Sequence, residues 1–255
     1  MNVRPMAGHS KWKNIRLKKG RVDAQKGKIF TKLSRDILMA CRQGGGPDPE
    51  ANYRLKDAIV RAREASMPRE NIERAIEKAR GGGEGAELDE VVYEGYGPAN
   101  IAIIVEAATN NRNRTAAEVR LIFSKNQGNF GETGSVGWLF DRKGQITGPS
   151  AGLDEDTLME HVIEAGAEDL EMDDENFIIT CEPAMLHEVR TALVAAKVPV
   201  KSSELTMIAK TSVEVSAADA PAVLKFMDLL EEHDDVTNVY TNFELSAEAV
   251  EAMDA

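Results

Sequence analysis

The sequence predicts an α+β protein of three domains, in which a basic helical module precedes two mixed domains and the third is inserted into the second. Three observations carry this. Apolar residues recur at helical spacing up to about residue 80, β-rich runs alternate with helical ones thereafter, and charge is segregated along the chain. The domains are drawn at 1–83, at 84–134 with 209–248, and at 135–208.

Residues 8–28 hold eight lysines and arginines, His9, and a single acid, Asp23. Gly8, Gly20 and Gly27 interrupt the stretch and its apolar residues are few, so it reads as a basic arm that does not fold alone. Helical periodicity begins with Ile29 and Phe30 and continues through Leu33, Ile37 and Cys41, until Gly44-Gly45-Gly46-Pro47 stops it. A second helix, about 51–65, places Leu55, Ala58, Ile59 and Ala62 on one side. Pro68 suits the first turn of a third, whose stripe is Ile72, Ala75, Ile76 and Ala79 and whose end is Gly81-Gly82-Gly83.

Past residue 87, strands are expected at Val91-Val92-Tyr93 and Ile101–Val105, around the turn residues Gly95-Tyr96-Gly97-Pro98. The next helix, about 116–125, is expected to open on a capping box made by Thr115 and Glu118. From Gly134 the pattern runs strand (135–140), turn, strand, helix (155–165), two strands bracketing Asp173-Asp174-Glu175, helix (183–196) and strand (200–208). Strand, helix, strand, strand, helix, strand is the ferredoxin-like order. The tail adds a strand (211–215), a helix (218–232) and a strand (236–243), which complete the surface that 88–130 cannot cover by itself.

Residues 1–80 carry 20 Lys and Arg against 9 Asp and Glu, whereas the remaining 175 carry 11 against 34. A polyanion is drawn to one end of such a chain and repelled by the other. The competing explanation is mutual attraction between the two halves. Two cysteines, Cys41 and Cys181, far apart in the chain, suggest neither a disulfide framework nor a cysteine metal cluster. The longest strongly apolar stretch, Ile101–Val105, is too short to cross a bilayer, and the opening residues lack the apolar segment of a secretory signal. A soluble protein of the reducing cytoplasm, without membrane contact, is expected.

Enzyme signatures fail one by one. Gly27-Lys28 is followed by Ile29 rather than Ser or Thr, and Gly95-Tyr96-Gly97-Pro98 lacks the third glycine of a dinucleotide fingerprint. Gly81 to Ala86 follows a helix instead of a strand, and His9, His161, His187 and His233 show no zinc-ligand spacing. Cys181 with His187 reads more simply as a buried structural thiol than as a nucleophile and base. No catalytic residue, metal or cofactor is expected.

Two regions are candidate phosphate binders. In the first, Lys11, Lys13, Arg16, Lys18, Lys19, Arg21, Lys26, Lys28 and Lys32 supply cations that release counterions from a nucleic acid. Trp12 sits among them, placed either to stack on or wedge between bases or to pack on the helical module. The second is Thr109-Asn110-Asn111-Arg112-Asn113-Arg114, which enters a helix N-terminus where free amides favour anions. There Arg112 and Arg114 add charge; the alternative is a loop whose asparagines satisfy only local backbone.

The runs MAGHSKWKNI, KGKIFTKLSRDI, GGGPDPEANYRL, MPRENIERAI, YEGYGP, NRNRTAAEVR, GNFGETGSVGW and DDVTNVYTNFE span essentially the whole chain. In order and spacing they resemble the YebC/PmpR family. The resemblance implies three domains, the third inserted into the second, with Met6 the usual start and residues 1–5 an extension. It implies a cytoplasmic DNA-binding transcriptional regulator; a related line connects the family, mitochondrial relatives included, with translation through difficult sequences such as proline runs. The chain departs from the family's pattern in three places: Asn110 stands for an Asp, Ala99-Asn100 for a more glycine-like turn, and Ala209 for a Pro.

The expected function is therefore that of a non-enzymatic regulator whose basic arm grips promoter DNA along its phosphate backbone. The alternative is a ribosome-associated factor that grips ribosomal or transfer RNA. The acidic domains face solvent or a protein partner.

Overall fold

The computed structural model describes residues 26–43, 45–81 and 88–254. It begins with three helices: α1 (Lys26–Gln43), α2 (Tyr53–Glu64) and α3 (Arg69–Gly81). Their apolar stripes meet in one core that buries Ile37 and Cys41 of α1, Leu55, Ala58 and Ala62 of α2, and Ile72 of α3. Burying such side chains is the main stabilising term, at about 25 cal/mol for each Å² taken from water. Asn52 fixes the α1–α2 corner. It is 1% exposed, its Oδ1 accepts from the Leu55 amide at 3.1 Å, and its Nδ2 donates to the carbonyls of Ala40 (2.7 Å) and Gly46 (2.6 Å). The corner itself needs a left-handed residue, and Gly46 supplies it at φ +117°.

The next elements form a sheet in the order β3-β1-β2-β9, antiparallel throughout. Its strands are β1 (Asp89–Tyr96), β2 (Ala102–Thr109), β3 (Asn129–Phe130) and β9 (Val236–Thr241). Helices α4 (Arg112–Lys125) and α7 (Ala220–Glu231) share a core with it. Phe123 of α4 sits edge-on to Phe226 of α7 at 5.0 Å and to Phe130 of β3 at 5.6 Å, geometry that aromatic quadrupoles favour. Gly95 makes that closeness possible: a Cβ there would lie 2.7 Å from the Phe123 ring and 2.4 Å from the Asn129 carbonyl oxygen. A short parallel pair, β8 (Val213–Val215) with β10 (Phe243–Leu245), and a terminal helix α8 (Ala247–Asp254) complete this part.

The chain forms two compact units. One takes the described residues up to Leu139 and from Thr211 onward, and the other is Phe140–Lys210. The second contains β4 (Phe140–Pro149), α5 (Glu155–Glu164), β5 (Ala167–Met172), β6 (Asn176–Cys181), α6 (Leu186–Ala195) and β7 (Ser202–Ala209). Its sheet order, β5-β6-β4-β7, is that of a ferredoxin-like split β-α-β unit. Lys143 at its surface is held by Glu168 and Glu182, which keep its ammonium protonated well above the usual range. The fold class is the α+β architecture expected, a helical module followed by mixed domains.

Three local expectations are corrected. The capping box at Thr115 does not form: α4 starts at Arg112, and Asn111 caps it by accepting from the Arg114 amide at 3.1 Å. Thr115 is instead fully buried in the first turn. Residues 135–139 are not a strand but lead into a 3₁₀ turn, Gly137–Leu139, because their amides are taken by a side chain. Glu94 of β1, only 7% exposed, accepts from Gly134 (2.8 Å), Val136 (2.8 Å) and Gly137 (2.7 Å). Burial pushes its carboxyl up, but those three amides outweigh burial and hold it below its ordinary value. Finally, α8 has no counterpart in the expected elements. Among the described residues no helix is long and apolar enough to cross a membrane.

Candidate nucleic-acid interface

Three segments of the first unit converge on one carboxylate. Asp235, in the turn between α7 and β9, is 2% exposed. Its Oδ2 accepts from the Thr115 hydroxyl at 2.6 Å and from Nη2 of Arg114 at 2.8 Å. Its Oδ1 meets Nη1 of Arg35, from α1, at 2.7 Å. Burial alone would raise this carboxyl, yet the Thr115 and Arg114 hydrogen bonds and the two guanidinium charges lower it to about 2. Arg35 also donates to the Asp234 carbonyl, and Lys32, one turn earlier, to that of Glu231. Two cations of α1 are therefore spent in docking the helical module onto the α7–β9 corner.

His233 borders this network. The Asp235 amide donates to its Nδ1 at 3.1 Å, which places the imidazole proton on Nε2, 3.0 Å from Glu118 Oε2. Glu118, His233 and Asp235 each offer a ligand atom within 4.8 Å of the others. Metal ligation does not suit them: Nδ1 already accepts a backbone proton, both oxygens of Asp235 have donors, and two guanidinium groups stand where a cation would have to sit. The cluster is a charge-balanced internal network.

The sequence-derived site residues divide in three. Lys11, Trp12, Lys13, Arg16, Lys18, Lys19 and Arg21 lie outside the described residues. Lys26 and Lys28 fall in the first turn of α1, and Lys32 is bound as above. Arg112 and Arg114 open α4 and do different things. Arg114 is drawn onto Asp235, with Asn110 Oδ1 3.3 Å from its Nη2. Arg112 is exposed and has no ion pair among the described residues, and its carbonyl faces the Tyr93 hydroxyl at 3.5 Å.

Sequence reasoning passed over a cleft between α1 and α3. Its volume is about 500 Å³, and Arg74 and Lys78 line it from α3 opposite Thr31 and Arg35 of α1. No Asp or Glu lines it. The signal was present: Arg74 and Lys78 stand four residues apart, the interval that puts two side chains on one helical face. It went unused because α3 was read only for its buried stripe.

Comparison with known proteins agrees with this architecture. Residues 10–82 match the family described as TACO1/YebC protein N-terminal domain, and residues 88–243 match TACO1/YebC second and third domain. A "Probable transcriptional regulatory protein" of Pelotomaculum thermopropionicum is 51% identical over 242 residues, covering 94% of this chain and 99% of its own. One of the same name from Trichlorobacter lovleyi is 51% identical over 248 residues, covering 97% and 100%. The crystal structure of a conserved hypothetical protein from Aquifex aeolicus superposes with a TM-score of 0.79 at 46% identity, over 89% of this chain and 94% of that one.

Proposed function

This chain belongs to the TACO1/YebC family, and from that premise we propose that it is a non-enzymatic regulator that binds nucleic acid through its basic N-terminal region. The observation that carries the reading is charge segregation: 20 of the 31 lysines and arginines fall in the first 80 residues. Among the described residues Lys32 and Arg35 are held by the α7–β9 corner, and Lys56, Arg61, Arg69 and Arg80 pair with acids of the helical module itself. With only 9 acids against those 20 cations, the region keeps a positive excess to meet a polyanion. The names of its relatives, probable transcriptional regulatory proteins, support promoter DNA as the ligand. Contact with the phosphate backbone through Lys11–Lys28 and the exposed Arg112 explains affinity without base reading. The acidic domains stay clear of the polymer and are open to a protein partner. Burial of Cys181, which pushes its thiol up, argues against nucleophilic chemistry there.

The test is Lys18→Glu with Lys19→Glu on duplex DNA. If about five phosphates are engaged, log K for the unsubstituted protein falls with log salt at a slope of roughly −4 to −5. The double variant is expected to bind more weakly on every sequence. An unchanged dissociation constant at low salt, or a flat salt response, overturns the assignment. Crosslinking in cells with sequencing of both attached polymers decides between promoter DNA and ribosomal or transfer RNA.

A further inference from the structure

The cleft between α1 and α3 has the composition of a nucleotide site. Charges on α3 are partly paired: Arg69 with Glu73 at 2.7 Å and Arg80 with Glu77 at 3.3 Å. Glu70, Arg74 and Lys78 remain, and of these only Arg74 and Lys78 line the cleft. Arg74 has only a 3.4 Å contact to Asn71 Oδ1, and Lys78 has no ion pair among the described residues. Arg35 also lines the cleft, but Asp235 neutralises it. The unpaired charges that line the cleft are therefore two cations, and no carboxylate lines it.

Its other walls are not those of a simple anion site. Phe30, Leu38, Ala75 and Leu88 give an apolar floor, and Asn71 and Asn110 add side-chain amides to the lining. Asn110 Oδ1 faces Arg114, which leaves its Nδ2 as a donor. A carboxylate ligand would gain nothing from the floor, whereas a base gains apolar contact and amide hydrogen bonds together. A volume of about 500 Å³ is that of a small-molecule site and leaves no room for a base-paired helix.

We propose that this cleft holds one unpaired nucleotide of a single-stranded nucleic acid, its phosphate between Arg74 and Lys78 and its base on the Phe30–Leu88 floor. The inference rests on the nucleic-acid reading above. RNA and DNA share this chemistry, and the 2′-hydroxyl separates them.

The test is fluorescence anisotropy of the full chain with labelled rU and dT 12-mers, an abasic 12-mer and a 12-base-pair duplex. Arg74→Ala with Lys78→Ala, both exposed, is expected to melt with the unsubstituted protein. The expected result is a loss of about tenfold or more on the single strands, a salt slope shallower by about 1.4 for two contacts, and less than threefold on the duplex. The unsubstituted protein is expected to bind the abasic strand about tenfold more weakly than dT. Tighter rU than dT binding assigns RNA, and the reverse assigns DNA. Unchanged single-strand binding by the variant, equal losses on strand and duplex, or equal abasic and dT affinity each overturn the nucleotide site while leaving general nucleic-acid binding intact. Failure of the unsubstituted protein to bind any of the four at low salt overturns both readings.

Discussion

Arg35 of α1 and Asp235 before β9 meet at 2.7 Å, and on the other oxygen of the same carboxylate Arg114 meets it at 2.8 Å. One buried acid thus joins the helical module to the sheet and to the start of α4. Such an ion is costly to bury alone, and its two arginines with the Thr115 and Thr109 hydroxyls make it tolerable.

Asp235→Asn tests that junction. The folded carboxyl titrates at about 2 and the unfolded one at about 3.9. A lowered value contributes stability in full above the unfolded pKa, lost as pH falls from about 4 through about 2. The shift corresponds to about 2–3 kcal/mol. Denaturant titrations at pH 7 are expected to show a loss of that order in the variant. Between pH 4 and pH 2 the gap between the two proteins should close; a constant gap would mean that the carboxylate charge is not what matters.

Glu94→Gln probes the second buried carboxylate. Glutamine keeps one oxygen but turns an NH₂ group toward an amide now bound by the other, so at least one of the Gly134, Val136 and Gly137 donors is orphaned. The expected cost is about 2 kcal/mol. Hydrogen exchange at Gly134, Val136 and Gly137 is the direct readout, and these amides should exchange faster in the variant while those of α2 remain protected.

These two acids also mark where sequence reading stopped. Periodicity found α1, α2, α3 and α5 because Ile37, Leu55, Ile72 and Leu158 recur with the helix and are buried by it. Residues 135–140 looked like a strand, since nothing local reveals that a glutamate some 40 residues earlier takes the amides of Gly134, Val136 and Gly137. Thr115 and Asn111 are both good cap residues, and local pattern alone favoured the wrong one; Asp235, 120 positions away, claims the threonine. Arg114 carries the same charge as Arg112 in sequence, and only the fold separates a latch from an exposed cation. Helix α8, eight residues with Ala247, Ala249 and Ala252 among acids, has too weak a stripe to read.

Ala99→Gly is expected to stabilise the protein. Ala99 has φ +55° and Asn100 φ +57°, two consecutive left-handed residues in the turn between β1 and β2. Asparagine tolerates this region and alanine does not, at a cost of about 1 kcal/mol. Removing the Cβ relieves that strain, partly offset by a more flexible unfolded chain. A rise in melting temperature of about 2 °C follows, and scanning calorimetry reads it. A fall would mean that the strain is already relieved elsewhere.

Arg112→Ala and Arg114→Ala are expected to separate binding from stability. Arg114 anchors Asp235, and that carboxylate raises its pKa further, so its loss leaves a buried acid short of a donor. The melting temperature of that variant should fall by a few degrees, and more at low salt, because part of the pair is exposed to screening. Arg112, exposed and unpaired among the described residues, should leave stability within about one degree. Its effect is expected in the nucleic-acid titration, where one lost phosphate contact makes the duplex salt slope shallower by about 0.9. Calorimetry and anisotropy on the same two variants check both halves: if Arg112→Ala destabilises, or Arg114→Ala alone weakens binding with its fold intact, the roles assigned to the two arginines are reversed.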